Sequence, residues 1–281
     1  MPVRILGMIA AAAAVGVVAV QAAAAGQGHE AQAKVEEAGR LIEQGDRRGE
    51  IGDRGGRIRA YRRALALVDE AIALGDTRPE VVLGRREFGL MLGDHLLEAE
   101  RPEEALAAFG EIAASAGGGV GADIPEDRQD RLHLARALRG MVFAAAAAGD
   151  FGEARARLGA LIAVGRAMQA AEPDNLYLAR RLAQDLENEV FFRWVTEDGP
   201  GARESALEVL ALFRQVDEAN PGSDEAMRSH FRWAYVAAAL HEDDAALWAE
   251  ARTVGERLRT HGGFQAQDED HMRVVRRRTE G

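Results

Sequence analysis

The chain has 281 residues, a formal net charge of -11 and a pI near 5.2, and it contains no cysteine. Disulfides, thiolate metal sites, a cysteine nucleophile and a cysteine-linked lipid are therefore excluded, and an acidic balance that repels phosphate backbones argues against general nucleic-acid binding while leaving room for a local basic patch. Hydrophobic residues are 47% of the chain but aromatics only 5%, a balance that suits closely packed helices better than sheets of branched and aromatic residues.

Residues 1–25 read MPVRILGMIAAAAAVGVVAVQAAAA. Arg4 is a short positive flank, Ile5 to Val20 is an uncharged stretch of signal-peptide length, and Ala22 to Ala25 offer the small residues that a signal peptidase accepts. The uncharged run from Ile5 to Ala25 is also about the length that spans a bilayer, so a retained anchor is the competing reading. Arg4 favours the cytoplasmic side in either case. The rest of the chain is then expected in the periplasm, or at the periplasmic face of a bacterial inner membrane attached through residues 5–25.

From His29 onward apolar residues recur with helical period, and no alternating strand pattern lasts five residues. The expectation is an all-α chain. The pattern predicts helices over about 29–45, 57–75, 79–100, 102–116, 126–149, 151–171, 175–197, 201–219, 223–241 and 243–260. Residues 26–56 read as a helix and a polar Gly/Arg/Asp loop, GDRRGEIGDRGG, over 45–56; residues 57–260 are a repeat domain, and 261–281 a charged tail. Pro79 marks a helix start, Asp174 or Asn175 and Ser223 are N-cap residues, and GGGVGADIPED is a flexible connection with Pro125 opening the next helix.

The second helix of each pair carries an apolar triplet at offsets 0, +4 and +7: Ala64/Val68/Ala71, Ala105/Phe109/Ile112, Ala154/Leu158/Leu161 and Ala206/Leu210/Phe213. These offsets put three side chains on one helical face, and the leading alanine lets the preceding helix approach closely. Successive triplets start 41, 49 and 52 residues apart, an internal repeat of variable length. A last unit starts at Ala245 and Ala249, with Arg252 where an apolar residue is expected.

The tripeptide FRW occurs twice, as Phe192-Arg193-Trp194 and Phe231-Arg232-Trp233, 39 residues apart and each 14 residues before Ala206 or Ala245. It reads as a mark of repeat register, with the aromatics packed between helices and Arg193 and Arg232 reaching outward; an aromatic binding patch is the alternative.

The stretch LGDHLLEAERPEEALAAFGEI, Leu92 to Ile112, resembles a tetratricopeptide repeat, with Leu92-Gly93, Leu96, Ala105, Phe109 and Ile112 at the spacings of that family's signature positions. GDFGEARARLGALIAVGRAMQAAEPDN is similar to another second helix of such a repeat, although the helices here run longer than the family's. The resemblance implies a solenoid of about five antiparallel helical hairpins with an inner groove for a peptide or protein. It places Glu87, Leu90, Asp94 and Leu97 on that inner surface.

Signals for catalysis and metal binding are weak. None of His29, His95, His133, His230, His241, His261 and His271 forms an i, i+4 pair, and all read as solvated or terminal. GGGVGADIP lacks the preceding strand and following Lys-Ser/Thr of a phosphate loop. Carboxylates such as Glu103-Glu104 and Asp243-Asp244 fall on solvent faces and hairpin turns. The C-terminal DEDHMRVVRRRTEG reads as a frayed tail whose opposite charges pair, with a contact to a partner or an anionic membrane as the sharper alternative. The functional expectation is a non-catalytic exported adaptor, without cofactor or metal, binding another protein and no nucleic acid, with Phe191, Phe231 and Tyr235 added to the partner-binding set. The alternative is a small-ligand receptor or transport accessory whose pocket is lined by Phe191, Phe192, Trp194, Phe231, Trp233 and Tyr235.

Overall fold

The computed structural model describes residues 27–118 and 123–280, which hold eleven α-helices and no strand. In chain order they are α1 (Gln27–Glu50), α2 (Arg54–Ala73), α3 (Pro79–Glu98), α4 (Pro102–Ser115), α5 (Arg128–Ala147), α6 (Phe151–Ala171), α7 (Leu176–Val195), α8 (Gly199–Ala219), α9 (Asp224–Leu240), α10 (Ala245–Thr260) and α11 (Ala266–Glu280). The chain divides into two compact units between Ala154 and Arg155, inside α6. The leader reading of residues 1–25, and residues 119–122 of the glycine-rich connection, lie outside the described residues.

Neighbouring helices in unit one run antiparallel. Lys34 of α1 pairs with Glu70 of α2, while Tyr61 of α2 donates its hydroxyl to Asp46 near the other end of α1 at 2.7 Å. The centre of the unit is Phe109 on α4. A Cβ added at Gly93 of α3, or at Gly140 of α5, would come within 2.5 Å of its ring. The ring therefore fills the gap between two helix backbones that only glycine allows so close. The predicted triplets Ala64/Val68/Ala71 and Ala105/Phe109/Ile112 are all buried, as are Ala154/Leu158/Leu161 and Ala206/Leu210/Phe213.

Unit two repeats the device. A Cβ at Gly255 of α10 would meet the Phe231 ring at 2.7 Å and Met272 Sδ of α11 at 2.9 Å. Helices α7 and α8 are antiparallel, with Ser205 Oγ bonded to Glu189 and the Arg193 guanidinium lying against Gly201.

Alternate helices are tied by ion pairs of regular sequence separation. In unit one Arg62–Glu104 joins α2 to α4, and Arg86–Asp130 and Arg136–Glu87 join α3 to α5. In unit two the links are Arg166–Glu208, Arg180–Glu225, Arg214–Glu250 and Arg232–Asp268. Most are solvent-exposed and contribute about 0–1 kcal/mol each; they set register, and the buried apolar faces supply the stability.

Four expectations are corrected. Residues 45–50 are helical, and the expected 45–56 loop shrinks to a turn at Ile51, Gly52 and Asp53. Gly45 makes room for the Tyr61 ring, Gly52 takes φ +80°, and the Asp53 carboxylate caps α2 by accepting from Gly56 N at 2.7 Å. Helix α5 opens at Arg128 behind an Asp127 N-cap, not at Pro125. The register of α10 is two residues later than expected: Leu247, Ala251 and Val254 are buried, while Ala245 and Ala249 face solvent. Arg252, on the outer face, pairs with Glu256 and Glu280.

The fourth correction is the C-terminal segment, which is a packed helix and not a frayed tail. Met272 and Val275 are fully buried against α10. Asp268, also fully buried, caps its own helix by accepting from Gln265 N and faces Arg228 and Arg232 of α9.

Gly93→Ala tests the backbone approach at Phe109. An alanine would add about 1 kcal/mol of intrinsic helix preference, yet the clash with a ring held from both sides should give a net loss of about 1–3 kcal/mol in urea unfolding. A more stable variant would show that the ring has room to move.

Candidate functional site

Helix α7, LYLARRLAQDLENEVFFRWV, starts at the Asn175 N-cap, whose side chain accepts from Leu178 N. Leu178, Leu182, Ala183, Leu186 and Val190 point into the core. The opposite side is apolar too at its C-terminal end. Phe191 is 64% exposed, Trp194 61% and Val195 60%. At this level the contact with α8 is made by Arg193, which bonds Glu189 and reaches Asp198, so the neighbouring aromatics are left outside. Trp194 is therefore not packed between helices as the sequence suggested.

The two FRW copies do not occupy equivalent positions. Parallel helices α7 and α9 are linked by Arg180–Glu225, 45 residues apart, and by Trp233 donating its indole N–H to Glu187, 46 residues apart. The structural offset is thus longer than the 39 residues between the words. Trp233 stands level with Glu187, and Trp194 stands about two turns past the level where its namesake would fit. Phe231 is fully buried and stacks on Phe264, with ring centroids 5.7 Å apart. Tyr235 is half-buried between Trp248, edge-on at 6.2 Å, and His271, stacked at 4.3 Å. Phe231 is therefore core, not a contact residue, and Tyr235 is largely committed to its own helices. Arg193 and Arg232 do not simply reach outward, because both close onto carboxylates of their own unit. The six aromatics of the receptor reading split between core and open surface and do not line one cavity.

In unit one the four inner positions also separate. Leu90 is core at 1% exposure, because it lies on the side of α3 that carries Gly93 and the packing against α4. Asp94 is exposed and Leu97 half-buried. Glu87 is half-buried and occupied: it accepts from His133 Nε2 at 3.1 Å and from Arg136 Nη1 at 2.6 Å.

Histidines expected in solvent are central to both units. His133 is buried and places Nδ1 at 2.8 Å from the Gln129 carbonyl while Nε2 faces Glu87. His230 is buried between Asp217 (Nδ1 to Oδ2, 2.6 Å) and Glu250 (Nε2 to Oε1, 2.9 Å). Arg214 holds Glu250 through two bonds of 2.8 Å, and Arg257 pairs with Asp217. Each imidazole nitrogen here faces an oxygen of a neighbouring group. These clusters are braces between helices. His29 and His261 are exposed as expected. Among the described residues no three His, Asp or Glu side chains converge to hold a metal ion, and no helix is long and apolar enough to cross a membrane.

The sequence reading missed Val195, Glu187 and the buried Asp217 and Asp268. Val195 and Glu187 were within reach, since they stand four residues after and four before Phe191 on the same side of α7.

Two measurements follow from this geometry. Trp194→Ala should change folding stability by no more than about 0.5 kcal/mol, whereas Phe231→Ala should cost about 3–5 kcal/mol; equal losses in urea unfolding would contradict the assignment. The second is acid sensitivity. Hydrogen bonds from His133 and His230, assisted by Arg136 and Arg214, hold the Glu87 and Glu250 carboxyls down to about 2, against an ordinary 4.5. A carboxyl depressed on folding stabilises the fold above its unfolded value, and that contribution is lost as pH falls from about 4.5 to 2. Glu250→Gln should be less stable than the parent at neutral pH and lose less stability across that acid window. Parallel acid-unfolding curves for parent and variant would count against the brace.

No protein-family model matches the chain, and no curated protein matches it in sequence.

Proposed function

We propose that the chain is a non-catalytic, exported scaffold that binds another protein, built as a tetratricopeptide-like solenoid of about five hairpins. The observation that carries this reading is the exposed apolar end of α7, where Phe191, Trp194 and Val195 are each at least 60% accessible in a chain with only three tryptophans and nine phenylalanines. Isolated surface apolar residues are ordinary, but three neighbours on one helical face form a contiguous patch that water solvates poorly. Tryptophan and phenylalanine are also the residues that concentrate binding energy at protein interfaces. The antiparallel neighbours and parallel alternate helices of each unit support the solenoid part of the reading, since stacked hairpins need that pattern. Export rests on Arg4, the uncharged run after it and Ala22 to Ala25.

Placing a photo-crosslinking residue at position 194 in the full chain, in cells, tests the proposal. Discrete protein adducts are expected there and not from the exposed helix-start position Glu103. Equal, diffuse labelling at both positions would overturn it.

A further inference from the structure

Trp233 contacts Glu187 on the side of α7 that also carries Trp194, about two turns further along the helix. Glu187, Phe191 and Trp194 stand at i, i+4 and i+7 on one side of α7, over a length of about 10 Å. The Trp233 indole of α9 reaches the same side at its Glu187 end and donates Nε1–H to Oε1. The rims of both aromatic systems stay accessible: Trp194 and Phe191 are exposed, and Trp233 is half-buried.

Glu187 resembles Asp46, whose partner is the neutral Tyr61 hydroxyl, and differs from the carboxylates that brace the helices. Glu87, Asp217, Glu250 and Asp268 each face an arginine, and the first three a histidine as well. Glu187 bonds a neutral indole, and no cation pairs with it among the described residues. Burial pushes its carboxyl up from the ordinary 4.5, and only the Trp233 hydrogen bond opposes that shift. A carboxylate taken partly out of water without a counter-ion is a site that gains from receiving one. The faces of tryptophan attract the same kind of ligand, because the ring quadrupole favours cations.

We infer that this side of α7 and Trp233 captures an arginine or lysine side chain of a partner polypeptide. The cation pairs with Glu187 and lies on the indoles, and Phe191 and Val195 receive the apolar residues beside it. The inference rests on the protein-binding reading above and names the chemistry of the partner. A polypeptide fits better than a small organic cation, because the apolar surface continues past the carboxylate to Val195 and a single ion would leave it uncovered. The net charge of -11 favours encounter with a basic partner.

The test uses the full chain and a synthetic peptide with one arginine flanked by leucine and serine, followed by the three tryptophan indole N–H signals in NMR. The Trp194 and Trp233 signals should shift on titration, while that of Trp248, bonded to the Glu242 carbonyl, should stay. Replacing arginine by neutral citrulline in the peptide should weaken binding roughly tenfold. In Glu187→Gln, whose amide oxygen still accepts from Trp233, that discrimination should vanish. Equal affinity for arginine and citrulline peptides, unchanged discrimination in Glu187→Gln, or shifts confined to Trp248 would each overturn the inference. So would tetramethylammonium binding as tightly as the peptide, because the apolar flank would then contribute nothing. Crosslinking from position 194 without charge discrimination would sink this inference and leave the protein-binding reading standing; charge discrimination without crosslinks would do the reverse.

Discussion

How closely two helix backbones approach each other is the constraint on which both units depend. At Phe109 the aromatic ring occupies space that a single methyl on Gly93 or Gly140 would take, and at Phe231 the same holds for Gly255. With aromatics at only 5% of residues, large side chains are scarce, and the core is made by moving backbones inward around alanine and glycine. Ala64, Ala105 and Ala206, each fully buried, lead their triplets for that reason. Close approach in turn brings side chains on alternate helices within reach, so the ion pairs that fix register are a result of the small residues beneath them.

That dependence explains why charge is distributed as it is. Arginines on outer faces meet acids 36 to 49 residues away and remain in contact with water, where each is worth little. The buried charges are a different matter. Asp217 and Asp268 are buried, and removing an arginine or histidine partner would leave a desolvated carboxylate, a far greater loss than the pair itself contributes.

Much of the fold was legible because its main signal is local. An alanine followed by apolar residues at +4 and +7 identifies a helix face without knowledge of what packs on it, and all four such triplets are buried. The same rule failed at α10, where Ala245 and Ala249 keep the spacing but Leu247, Ala251 and Val254 carry the contact. Alanine is too small to declare which face is buried. The C-terminal segment was misread because its run of arginines hides Met272 and Val275, which matter only once α10 is alongside. The candidate site was less legible still. FRW repeats as a word, but whether an aromatic is covered depends on the neighbour at its level, and that neighbour is set by an offset of 45 or 46 residues, not 39. The contact of Trp233 with Glu187 is a tertiary fact with no sequence mark.

The pattern of adjacent antiparallel helices and parallel alternate ones has a kinetic consequence. Every tie between alternate helices named above closes a loop of at most 49 residues, and neighbouring helices close shorter ones. Loop-closure entropy rises only slowly with length, but chains whose contacts are near in sequence reach their transition state with little of it lost. Each helical pair can form against its predecessor before the next one arrives. Local opening follows the same boundaries, so amide exchange should occur in blocks that match helical pairs, with the slowest protons beside Phe109 in one unit and Phe231 in the other.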